Sequence, residues 1–64
     1  MPWTSDRYPV SMRHLSPATR EKAIEIANAL LAEQMDEGMA IRVAITKAKQ
    51  WARRRGISTL EEEE

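Results

Sequence analysis

Cysteine is absent from the chain, which removes disulfides, thiolate catalysis and cysteine-ligated zinc together. Histidine occurs once, at His14, too little to assemble an ordinary transition-metal site. Glycine occurs only at positions 38 and 56, so no glycine-rich loop exists to cradle a phosphate. Phenylalanine is missing, and the aromatics are Trp3, Tyr8 and Trp51 alone. Apolar runs are short; Ala29–Ala32 falls far below the roughly 20 residues that span a bilayer. The first residues carry no apolar stretch of the kind a secretory leader uses, so a cytoplasmic protein without a cofactor is expected.

What is present describes one small helical domain. The 64 residues are 42% hydrophobic and 31% charged, a composition that is neither disordered nor membrane-embedded. A chain this short buries only about 60% of its unfolded surface, so it has little material from which to carve a deep pocket. An enzyme is therefore disfavoured before any motif is considered.

Four segments follow from the pattern. Residues 1–15 hold Pro2, Pro9 and most of the aromatics without a sustained helical period, which predicts an extended arm. One helical turn, a short third helix, is expected over Ser11–Leu15. Ser16 suits an N-cap and Pro17 the first helical position, where a missing N–H costs nothing. Helix one is thus predicted over residues 16–37, with Gly38 as its left-handed terminator. Helix two is predicted over 39–55 and stopped by Gly56. The domain then covers residues 1–56, and residues 57–64 form a flexible acidic tail.

Periodicity sets the packing. Ile41, Ala44, Ile45, Ala48, Trp51 and Ala52 fall within an arc of roughly 120°, one stripe facing one neighbour. Trp51 is accordingly expected in the core. On helix one, Ala23, Ile24, Ile26, Ala27, Leu30, Leu31 and Met35 spread over roughly 180°, too wide for one partner helix. The predicted fold is all-α: a two-helix antiparallel hairpin with the aromatic arm laid over the seam. Trp3 and Tyr8 either plug that seam or form an apolar recognition patch, and plugging is favoured because helix one needs cover. A monomer is expected for the same reason.

Charge is balanced overall but segregated along the chain. No acidic residue lies between Gly38 and Leu60, whereas residues 16–37 carry a net negative charge and Glu61–Glu64 close the sequence. Arg42, Lys49 and Arg53 line one edge of helix two, and Lys47 and Arg54 line the other. These five residues are the candidate contacts for a polyanion or a partner protein. In the antiparallel pair the arginines Arg53–Arg55 are expected near Glu21 and Glu25, in solvated ion pairs worth about 0–1 kcal/mol each. His14 has no visible nucleophile or carboxylate companion. Glu21 and Glu25 sit one turn apart, but among Arg20 and Lys22 they form a salt-bridged surface rather than a catalytic pair.

The order Met1-Pro2-Trp3, Tyr8-Pro9, Ser11-Met12, Arg20-x-Lys22-Ala23-Ile24-Glu25-Ile26-Ala27-Asn28-Ala29-Leu30-Leu31, Glu37-Gly38-x-Ala40-Ile41 and Lys47-Ala48-Lys49-x-Trp51-Ala52 resembles a small uncharacterised family of bacterial helical domains. Such domains occur alone or at the N-terminus of stress-related proteins. A more distant similarity, mainly in the helix-two pattern, is to the ChaB-type cation-transport regulators. The resemblance covers residues 1–52. It implies a small, cytoplasmic, largely helical domain with no agreed activity, and it transfers no functional residue. The expected function is a non-enzymatic interaction or regulatory module acting through protein contacts. The alternative is a weak nucleic-acid binder using the basic side of helix two.

Overall fold

Ser16 and Pro17 start the first helix as their chemistry predicts, in a computed structural model that describes residues 3–60. Helix α1 spans Pro17–Ala32, and the Ser16 side chain accepts from the Thr19 N–H. Helix α2 spans Glu37–Arg54 and packs along α1 as the second arm of a hairpin. A single 3-10 turn, Val10–Met12, precedes them. It lies slightly upstream of the helical turn expected over Ser11–Leu15, and Leu15 itself forms an isolated bridge with Leu60.

The hairpin turn is not where glycine marked it. Helix α1 ends at Ala32 rather than at residue 37, and Gln34 takes the left-handed conformation with φ 71°. The Gln34 N–H donates to the Leu31 carbonyl at 2.9 Å, and the Met35 N–H donates to the Leu30 carbonyl at 3.1 Å. That pair of bonds is a Schellman closure, here built on a residue with a Cβ. Asp36 then caps α2, its Oδ2 accepting from the Met39 N–H at 3.2 Å. Gly38 lies inside the first turn of α2. The Asp36 cap satisfies an orphan N–H and favours the positive helix end, which outweighs glycine's preference for a terminus. Gly56, with φ 70°, does end the second helix, the Ile57 N–H reaching back to the Ala52 carbonyl at 2.8 Å.

The two helices meet through alanine. Ala40, Ala44, Ala48 and Ala52 form a stripe on α2 with no exposed surface, and Ala23 and Ala27 are equally buried on α1. Small side chains let the backbones approach, but they supply little apolar volume. That volume comes from the segment before α1. Met12 is fully buried and Leu15 is 2% exposed, and both join Ala23, Ile24, Ala27, Ala44 and Ala48 in one cluster. Trp3, Tyr8, Ile26, Ile41 and Ile45 pack against it from the edges. The arm thus supplies cover for Ala23, Ile24, Ile26 and Ala27 of helix one's wide apolar arc.

Four polar devices fix the arm and the C-terminal segment. The Asn28 side chain brackets the backbone of Trp3, accepting from its N–H at 2.8 Å and donating to its carbonyl at 2.9 Å. Thr4 and Arg7 close a tight turn by exchanging backbone bonds of 2.8 and 3.1 Å, and the Thr4 hydroxyl accepts from the Asp6 and Arg7 N–H groups. Arg20 donates to the carbonyls of Met12, Arg13 and Leu15, and its guanidinium lies 4.8 Å from the Tyr8 ring centroid. The sequence placed Arg20 on a solvated charged face; instead it ties the turn at Val10–Met12 onto α1. At the other end, the Ser58 carbonyl accepts from Ser16 Oγ at 2.6 Å and Thr19 Oγ1 at 3.1 Å. The Ser16 N–H donates to the Thr59 carbonyl. Residues 57–60 therefore form a docked strap rather than the start of a flexible tail. Glu61–Glu64 lie outside the described residues.

Candidate functional site on the outer face of the second helix

The alanine stripe decides which side of α2 faces outward. With four alanines buried against α1, the opposite side presents Arg42, Thr46, Lys47, Gln50, Arg53 and Arg54, all exposed. Lys49, at the edge, is half-buried. The five basic residues singled out from the sequence thus lie on one helix, on the two edges the periodicity assigned. Among the described residues none of them takes part in an ion pair with a carboxylate. The absence of acid from Gly38 to Leu60 leaves this face uniformly positive over the described part of that stretch.

Between the basic edges runs a neutral line. Met39 is 49% exposed, Val43 is half-buried, and Thr46 and Gln50 follow along the helix. A shallow depression of about 300 Å³ opens there, lined by Arg42, Val43, Thr46, Lys47 and Gln50. Its floor is apolar and amide or hydroxyl in character, and its two walls are cations. Such a surface can hold a carboxylate-bearing or mixed apolar and acidic partner.

The other candidates resolve differently. Trp3 and Tyr8 are half-buried against the core, so most of their apolar surface already has a partner within the chain. Trp51 is not a core residue, contrary to its place in the helical arc. It is half-buried at the rim, with Lys22 Nζ 5.5 Å and the Arg55 guanidinium 5.2 Å from its ring centroid. The reason is volume: an indole does not fit where alanine brings two backbones together, so it lies across the outside of the seam. Around it Ala18, Glu21, Lys22 and Glu25 line a second open depression of about 420 Å³. Lys22 also pairs with Glu25 at 3.3 Å. Of the arginines expected near Glu21 and Glu25, Arg55 lies on the Trp51 ring. His14 is exposed. Among the described residues no group of three or more His, Asp or Glu side chains could hold a metal ion. No helix there is long and apolar enough to cross a membrane.

Two structural residues escaped the sequence reading. Asn28 is a polar residue of helix one, and nothing local signals that it brackets a backbone 25 residues earlier. Thr19 is fully buried although it is polar, because the strap carbonyl satisfies its hydroxyl.

No protein-family model and no solved structure matches the chain. Neither comparison supports the more distant ChaB-type likeness. Over 52 residues, 81% of its length, the chain is 50% identical to the uncharacterised protein YdaT of Bacillus subtilis (strain 168). The match covers 35% of that protein, so the chain spans about a third of the length of the curated relative to which it is similar.

Proposed function

We propose that the chain is a non-enzymatic interaction module that engages an acidic protein surface through the outer face of α2. One observation carries this: Arg42, Lys47, Lys49, Arg53 and Arg54 flank a neutral line on the side of α2 turned away from the core, with no acidic residue in that helix after Glu37. Part of the wide apolar arc of α1, at Ala23, Ile24, Ile26 and Ala27, packs with the chain's own arm. The same packing supports a monomer, and a cytoplasmic location suits a chain without cysteine.

Nucleic acid is the second reading, favoured by the recurrence of Arg42, Lys49 and Arg53 along one line of the helix. Phosphate contacts would make binding fall steeply with salt, with a slope of about −0.9 per phosphate neutralised on duplex DNA. The apolar residues Met39 and Val43 in the middle of the face favour protein, because a phosphate backbone offers them nothing to pack against.

The two readings separate on parallel affinity columns. The chain and its Arg42→Glu/Lys47→Glu variant are used to capture binders from the native cell at physiological salt. Acidic proteins retained by the parent and lost by the variant are the expected result. Identical captures on both columns, or retention of nucleic acid alone, would overturn the assignment.

A further inference from the structure

The neutral line on α2 has a spacing. Met39, Val43, Thr46 and Gln50 follow one another at four, three and four residues. That is the interval at which one helix presents a seam to another in coiled-coil packing. The depression on this face has a matching shape. Four of its lining residues, Val43, Thr46, Lys47 and Gln50, stand at i, i+3, i+4 and i+7. Those four positions enclose the hole that receives a single knob side chain from a facing helix. The residues beside the seam, Arg42, Lys49 and Arg53 on one side and Lys47 and Arg54 on the other, occupy places from which flanking charges choose a partner.

Resting on the assignment of this face as a protein contact, we propose that the partner is an acidic amphipathic helix. It docks lengthwise along α2, places an apolar side chain in the hole at Val43–Gln50, and sets carboxylates against the cations of both edges. Charge selects this occupant. A second basic helix, including a second copy of α2, would bring like charges together along both edges, which is destabilising at an interface. A partner with carboxylates on one side only would leave one edge unmatched. Thr46 and Gln50 in the seam weaken apolar packing and make register and charge, rather than buried area, the source of specificity.

The discriminating experiment uses two synthetic peptides of identical composition. One places Leu at seam positions and Glu at the flanks over several heptads; the other scrambles the order. Binding to the full chain is measured by fluorescence anisotropy at physiological salt. The ordered peptide is expected to bind at least about tenfold tighter than the scrambled one, a difference of about 1.4 kcal/mol. Val43→Asp and, on the exposed side, Gln50→Asp are each expected to abolish that preference, while both variants keep the parent's circular dichroism. Equal binding of the two peptides would overturn the helical seam and leave a merely acidic partner. Binding of neither would overturn the seam and the acidic-surface assignment together. Displacement of the ordered peptide by duplex DNA at equal charge concentration would transfer the face to nucleic acid and overturn the proposal.

Discussion

Removing the Asn28 side chain should release the arm. In Asn28→Ala the chain loses two hydrogen bonds, at 2.8 and 2.9 Å, that hold both backbone groups of Trp3. Each is worth about 1 kcal/mol net. Alanine is the better helix former by about 0.5 kcal/mol, which offsets part of the loss. The expected net effect is therefore about 1.5 kcal/mol. In a domain holding only about 3–5 kcal/mol, that is a large fraction. With a urea dependence of about 1 kcal/mol per molar, the midpoint should fall by about 1.5 M. Circular dichroism across a urea series measures it. Ala29→Asn, on the exposed side of the same helix, reads the propensity contribution separately. A chain lacking residues 1–8 also loses the packing of Trp3 and Tyr8 on the core and should be largely unfolded. An unchanged midpoint in Asn28→Ala would refute the reasoning. It would mean that the arm is not held by this bracket, and would return Trp3 and Tyr8 to the role of an exposed recognition patch.

The turn is tested by two glycine exchanges. Gln34→Gly should stabilise by about 0.5–1 kcal/mol, since a left-handed position strains a residue with a Cβ. Gly38→Ala should also stabilise by about 0.5–1 kcal/mol as a helical residue whose new methyl would rest 3.4 Å from Asp36 Oδ2; thermal melting that shows destabilisation at Gly38 would put the turn back at that residue. Arg20→Met keeps the aliphatic stem but removes three donated hydrogen bonds and the cation over Tyr8, for an expected loss of about 2–3 kcal/mol in the same urea assay. Ala48→Leu forces extra volume between two helices at a position with no exposed surface and should destabilise by about 1–3 kcal/mol, whereas Thr46→Leu on the outer face should change stability by less than about 0.5 kcal/mol.

Local chemistry legible in the sequence decided the helices and their faces. Ser16 and Pro17 mark the start of α1, Gly56 marks the end of α2, and a 3.6-residue period puts alanines inward and the basic residues outward. Excess apolar width on helix one was enough to require the arm as cover. These are short-range properties of neighbouring residues, so one dimension carries them. The candidate face was legible in the same way, because Arg42, Lys47, Lys49, Arg53 and Arg54 belong to a single helix and need no folding to be brought together. Tertiary structure decided the rest. Whether Gly38 or Gln34 turns the hairpin depended on where Asp36 could cap α2. Trp51 lost its place in the core because the alanine stripe brings the helices too close for an indole. Arg20 found the carbonyls just before α1, and Asn28 found Trp3 and Thr19 found Ser58 across separations along the chain that no periodicity encodes. Such long-range polar bonds follow from which backbone groups the packed helices leave without a partner, and that is known only once the chain is folded.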